Sequence, residues 1–162
     1  MADTSQTRPV KLINELESKK ILKQAGLTVT EPLLAKSSSE AALIAQSLGY
    51  PVVLKVVSSN IVHKSDAGGV VVGLKDAESV AQAFSRMMDT LSKKFPQAVI
   101  DGISVQPQAP AGVEVFIGMT RDPQFGPAIM FGLGGIWVEI FNDTTLRIAP
   151  LCAEDVHEMV HE

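Results

Sequence analysis

The sequence predicts an α+β fold, with helices packed on largely antiparallel sheets, and three observations carry that expectation. Helical and extended patterns alternate through the first hundred residues. A hydrophobic run, Pro51-Val-Val-Leu-Lys-Val-Val57, is joined to a second, Val70-Val-Val-Gly-Leu74, by a polar, glycine-containing connection that suits an antiparallel hairpin. Beyond Gly102 the chain turns strand-rich, with short β-prone runs separated by turn residues.

The elements follow in order. Asn14 to Gln24 reads as a helix. Asn14 suits the N-cap, Glu17 stands three residues on, Leu16, Ile21 and Leu22 supply apolar positions, and Gly26 fits a left-handed C-terminal turn. Leu27 to Thr30 reads as extended, stopped by Pro32. Ser37 and Glu40 form a capping-box pattern for a helix carrying Ala42, Ile44, Ala45 and Leu48, ended by Gly49. Asp76 opens the longest helix, whose Val80, Ala83, Phe84, Met87, Met88 and Leu91 follow the i, i+3, i+4, i+7 spacing of a core-facing stripe. Strands are expected at Gly102–Gln108, Val113–Met119, Ala128–Phe131 and Ile136–Phe141. Arg121-Asp-Pro-Gln and Asn142-Asp-Thr are the turns, and a final helix runs from Ala153.

Composition narrows the function. At 162 residues the chain is long enough for an ordinary core without staples. A net charge of −4 argues against a nucleic-acid or anionic-membrane partner, so any anion site must be local. The single cysteine, Cys152, excludes an intrachain disulfide and a thiolate metal cluster. No apolar run reaches the ~20 residues of a membrane span, and the polar N-terminus lacks a signal core. A cytoplasmic protein is expected.

Candidate chemistry gathers around the hairpin. Side chains alternate along a strand, so Lys55 shares a face with Val53 and Val57. An ammonium among apolar neighbours is costly to bury alone, so it either snorkels at an edge or meets an anion. The connection that follows carries His63, Lys64, Ser65 and Asp66, then Gly68 and Gly69. Glycines let backbone N–H groups converge on a phosphate; Lys64 adds a point charge and Ser65 a hydroxyl donor. Neither common phosphate fingerprint is present, and a plain surface hairpin would look similar; the lysine on the preceding strand turns the reading toward phosphate. His63 is a candidate phosphate contact or nucleophile. His157 and His161 have metal-ligand spacing but no clear third ligand, and read as an exposed face. Glu114 and Glu139 stand among apolar strand residues and suit ribose hydroxyls, a cation or water. Asp143 and Arg147 are placed to pair across a turn.

Several ordered motifs together resemble one family: Pro51-Val-Val-Leu-Lys55, Ile61-Val-His-Lys-Ser-Asp-Ala-Gly-Gly-Val70, Gly112-Val-Glu-Val-Phe-Ile-Gly118, Asp122-Pro-Gln-Phe-Gly-Pro127 and Phe131-Gly-Leu-Gly-Gly-Ile-Trp-Val-Glu139. They are similar to the ATP-grasp module of ADP-forming acyl-CoA synthetases, relatives of succinyl-CoA synthetase. The resemblance runs from about Asn14 to the last residue. It implies an ATP-grasp fold of two subdomains: a tail over 1–10, an N-terminal subdomain with the phosphate loop over 11–105, and the start of a second over 106–162, left incomplete. It implies that Lys55 contacts ATP phosphate and that Gly68 and Gly69 belong to a flap over it. The backbone near Gln106 to Gln108 would meet adenine, and Glu114 the ribose. His63 matches a histidine of the phosphoryl relay, and Lys19 a lysine whose role is open.

The family reaction converts acid, ATP and CoA to acyl-CoA, ADP and phosphate through phosphohistidine and acyl phosphate. The resemblance places the Mg²⁺ ligands, the CoA-binding part and the phosphohistidine part outside this stretch, as partners. A non-catalytic nucleotide-binding or docking module is the other reading. If strands are missing, Ile136, Trp137, Ile140 and Leu146 are expected to lie uncovered and to promote self-association.

Overall fold

A computed structural model of the chain describes residues 13–61, 63–135 and 143–162. The chain divides into two compact units, Met1–Ala109 and Pro110–Glu162.

The first unit is built on a four-stranded antiparallel sheet. It contains α1 (Glu15–Gln24), β1 (Leu33–Ala35), α2 (Ser38–Leu48), β2 (Val52–Ser58), α3 (Lys64–Ala67), β3 (Val70–Leu74), α4 (Ala77–Lys94) and β4 (Ile100–Pro107). The strand order is β1-β4-β2-β3. One face carries the core. Val52, Leu54 and Val56 of β2 and Ile103 and Val105 of β4 are fully buried with Val80 and Leu91 of α4 and Ala41 and Ala45 of α2. The apolar stripe expected from Asp76 onward is the stripe that packs: Val80, Ala83, Phe84, Met87 and Leu91 are buried, and Asp76 caps the helix by accepting from Ser79 N–H at 2.7 Å.

The other face of the sheet is polar at its centre. Lys55 pairs with Ser104 and Val53 with Gln106, so Lys55, Ser104 and Gln106 project together, away from the core. Helix α1 lies by these residues. It buries no residue of its own, and Ile21 and Leu22 are exposed. Its N-cap is as expected, Asn14 Oδ1 accepting from Glu17 N–H at 2.9 Å.

Some local expectations are corrected. Leu27–Thr30 forms no strand; the ladder begins after Pro32, which has no N–H to offer it, and runs over β1. At α2, Ser37 Oγ accepts from Glu40 N–H, but the Glu40 carboxylate takes the N–H of Lys36, so the reciprocal box is displaced by one residue. The hairpin connection contains a helical turn, α3, rather than an open loop.

The second unit has a three-stranded antiparallel sheet, β5 (Val115–Asp122), β6 (Gly126–Leu133) and β7 (Thr144–Ile148), with α5 (Ala153–His161) against β6 and β7. β7 was not expected, although Thr144, Thr145 and Ile148 are β-branched and favour a strand. The expected strand Ile136–Phe141, with Trp137 and Glu139, lies outside the described residues. Arg147 pairs with Glu162 at 2.7 Å and Glu158 at 3.8 Å, not with Asp143, because α5 brings two carboxylates to it. Leu146 is largely exposed, as are Val115, Ile117 and Met119, which alternate onto one face of β5. Among the described residues no helix is long and apolar enough to cross a membrane.

Candidate functional site

The polar face of the first sheet opens into a cleft of ≈ 400 Å³. Lys55 from β2, His63 before α3, Lys64, Ser65 and Asp66 of α3, and Glu15 from α1 line it. The fold explains why. A β-strand places Lys55 opposite the core, and the antiparallel return of β3 holds α3 over the same end of the sheet.

The glycines after α3 have separate roles. Gly68 adopts φ +80°, the left-handed turn that ends the helix, and its surroundings are open. Gly69 is required by space. A Cβ there would lie 2.4 Å from Val56 Cγ1, and its carbonyl accepts from Val56 N–H at 2.8 Å, so the loop is sewn directly to β2. His63 precedes α3, is exposed and makes no side-chain cap.

Lys55 is partly buried and does not stand alone. Its ammonium donates to Glu15 Oε1 at 2.8 Å. Lys19 reaches the same oxygen at 3.1 Å, and Lys64 approaches Oε2 at 3.6 Å. Lys19 donates also to Gln106 Oε1 at 2.8 Å and Thr30 Oγ1 at 2.9 Å. One carboxylate faces three ammoniums, and Asp66 adds a second carboxylate to the cleft wall. Burial pushes the Glu15 carboxyl up, but the hydrogen bonds and charges of Lys55 and Lys19 outweigh it and hold it below its usual range.

The first unit therefore brings Lys55, His63, Lys64 and Ser65 to one cleft and ties Gln106 to it through Lys19 and Glu15. Gln106 is buried, and its side-chain oxygen is taken by Lys19. Glu114 belongs to the second unit, just before β5. Its carbonyl accepts from Gly134 N–H at 2.7 Å, and a Cβ on Gly135 would fall 2.6 Å from its Oε2. The glycines there let Glu114 fold over the chain after β6. Sequence reasoning missed Glu15. The available signal was its i, i+4 spacing to Lys19, which by itself reads as a surface pair. His157 and His161 stack edge to face with ring centres 4.3 Å apart; among the described residues no group of three or more His, Cys, Asp or Glu gathers as a metal site.

Known proteins resemble this chain in sequence and fold. The chain is 47% identical over 148 residues to the beta subunit of acetate–CoA ligase [ADP-forming] I of Pyrococcus furiosus, covering 91% of this chain and 64% of that subunit. Its fold matches an acetyl-coenzyme A synthetase 1 of Ca. Korarchaeum cryptofilum in complex with coenzyme A and Ca-AMPCP. That match has a TM-score of 0.86 and 48% identity, over 90% of this chain and 64% of that one. Another structure of the synthetase holds coenzyme A and Mg-AMPPCP, with a phosphohistidine segment pointing towards the nucleotide-binding site. It matches with a TM-score of 0.75 and 42% identity, over 90% of this chain and 61% of that one. The chain thus spans slightly under two thirds of these relatives' length. The profile of the ATP-grasp domain matches residues 5–162, and the chain belongs to the ATP-grasp family.

Proposed function

We propose that this chain is the nucleotide-binding portion of an ADP-forming acyl-CoA synthetase. The observation that carries the reading is the cleft in which Lys55 and Lys64 converge beside His63 and Ser65. Lys55 and Lys64 bind ATP phosphate, Ser65 donates a hydroxyl to it, and Gly68 and Gly69 shape the flap. The backbone near Gln106 to Gln108 meets the adenine, and Glu114 binds the ribose. The complete enzyme converts acid, ATP and CoA to acyl-CoA, ADP and phosphate. The remainder of the ATP-grasp fold and the CoA-binding and phosphohistidine parts are its partners, and a cytoplasmic setting accords with one free, exposed cysteine.

Lys55 and Lys64 each keep donors free beyond Glu15, which fits a polyphosphate. Mg²⁺ when bound would neutralise phosphate charge. The described residues offer no cluster to hold it, so it would come with the nucleotide or through other residues.

His63 is the proposed relay: its imidazole takes the γ-phosphoryl group as the bond to the ADP oxygen breaks, and passes it on. Calorimetric titration with ATP and ADP, with and without Mg²⁺, tests the site. Lys55→Ala is expected to weaken nucleotide binding roughly 10- to 150-fold, since charge-assisted hydrogen bonds are worth ~1.5–3 kcal/mol. An unchanged affinity would overturn the reading. In the complete enzyme, His63→Ala is expected to abolish the acid-labile phosphate trapped on this segment and to lower turnover far more than nucleotide affinity.

A further inference from the structure

The Glu15 network is not explained by the nucleotide reading. A carboxylate is repelled by phosphate, yet this one sits on the two lysines assigned to phosphate. We propose, resting on that reading, that Glu15 tunes the phosphate affinity of the cleft: it is the internal anion that a ligand's phosphates must displace from Lys55 and Lys64, and Lys19 keeps hold of it when they do.

The geometry separates the lysines into two kinds. An ammonium has three N–H donors. Those of Lys19 meet Thr30 Oγ1 at 2.9 Å, Gln106 Oε1 at 2.8 Å and Glu15 Oε1 at 3.1 Å, so Lys19 has none to spare for a ligand. Among the described side chains, Lys55 and Lys64 meet only Glu15, and each keeps donors free. They approach different oxygens of the carboxylate, at 2.8 Å and 3.6 Å, as they would approach two oxygens of a phosphate.

Exchange is therefore inexpensive. When phosphate takes Lys55 and Lys64, Glu15 retains Lys19 and is not left as an unpaired charge, which would be costly on a half-buried face. Glu15 and Lys64 also border a second cavity of ≈ 360 Å³, lined by Ile13, Glu17, Ser58, Asp101 and Ser104, which leaves space beside the side chain, although the carboxylates of Glu17 and Asp101 confine Glu15 to the Lys19 side. A ligand without phosphate has nothing with which to displace the carboxylate. Glu15 thereby lowers the affinity of phosphate ligands by the cost of displacing it and leaves ligands without phosphate unaffected.

The bland alternative is a docking role: α1 buries no residue, so its ion pairs could serve only to hold it on the sheet. The two accounts differ in sign. If Glu15 competes with phosphate, Glu15→Gln removes the competing charge and tightens binding. If it only docks α1, every disruption of the network weakens binding.

The full chain, wild type and variants, is titrated by calorimetry with ADP, adenosine and inorganic pyrophosphate, and thermal melts report folding. Glu15→Gln is expected to bind ADP and pyrophosphate roughly 2- to 5-fold more tightly, the size of one partly screened ion pair. Lys19→Met leaves Glu15 to Lys55 and Lys64 alone and is expected to weaken ADP by a similar factor. Adenosine affinity is expected to be the same in wild type and Glu15→Gln. Equal or weaker ADP and pyrophosphate binding by Glu15→Gln overturns the proposal. If Lys19→Met does not fold, the near-isosteric Glu15→Gln decides alone. The nucleotide reading fails separately. Should ADP not bind while Glu15→Gln still gains affinity for pyrophosphate, the nucleotide assignment falls and the exchange stands. Should Lys55→Ala weaken ADP and Glu15→Gln fail to tighten it, the exchange falls alone. Absence of binding by any probe to any variant overturns both.

Discussion

The two units spend their apolar residues differently. In the first, the sheet puts one face against α2 and α4, and Leu54, Val56, Ile103, Val105, Val80 and Leu91 are all sealed from solvent. In the second, Ala128 and Met159 are the buried hydrophobics among the described residues, while Ile117 and Met119 are 72% and 73% exposed. The lesson is that the same antiparallel construction can serve as a closed core or as a surface awaiting cover. The first unit holds itself together by burial and can leave its second face polar, as a binding site requires. The second presents an apolar strand face of the kind that marks contact surfaces.

The largest effect that would break this comparison is a truncation in the closed core. Leu54→Ala removes a fully buried side chain and is expected to cost about 2–5 kcal/mol in urea denaturation. Ile117→Lys on the open face is expected to change stability by less than about 0.5 kcal/mol, because it removes little buried area. The same substitution should reduce self-association in sedimentation, with the wild-type chain associating as concentration rises. A wild-type monomer at high concentration, or an Ile117→Lys as damaging as Leu54→Ala, would show that the face is covered after all.

A smaller effect separates space from conformation within the first unit. Gly69→Ala puts a methyl 2.4 Å from Val56 Cγ1, and Val56 is fully buried and cannot yield. The expected cost is about 1–3 kcal/mol. Gly68→Ala meets nothing closer than Thr90 Cγ2 at 3.9 Å and bears only the strain of φ +80°, about 1 kcal/mol. The order of the two in thermal melts checks whether the loop is anchored to the closed core, as the Gly69 carbonyl bond to Val56 indicates.

Much of the closed unit was legible because its signals are periodic. The 3.6-residue stripe of α4 and the alternation of β2 state which side is buried before any fold is known. Lys55 was legible as an exception to its own strand. What could not be read was pairing across the chain. Nothing in the spacing of Glu15 and Lys55, or of Lys19 and Gln106, announces contact, since sheet order and the placement of α1 create those neighbours. Gln106 was expected to act through its backbone, and nothing in the spacing announced that Lys19 would hold its side chain. β7 was illegible for a different reason. A short run, Thr144–Ile148, containing one arginine resembles a turn margin until β6 supplies its ladder.

The smallest predicted effect concerns acid. The Glu15 carboxyl in the folded chain titrates below its ordinary value of 4.5. The unfolded chain therefore binds the proton first as pH falls, and the contribution of Glu15 to stability is present above about 4.5 and lost as pH drops through the lower folded value. Asp122 and Asp155, also held low by backbone N–H groups of Phe125, Gln124 and Cys152, titrate in the same direction, so the wild-type curve alone does not isolate Glu15. The difference between wild type and Glu15→Gln does. Near neutral pH the variant is expected to be less stable by under ~1 kcal/mol, because the ion pairs are partly open to solvent and screened. That difference should shrink toward zero under acid, and a difference independent of pH would remove the ionised carboxylate from the account. The same variant is expected to hold ADP more tightly while folding less stably. A docking pair would lose both properties together, so opposite signs in one protein separate an internal competitor from a structural bond.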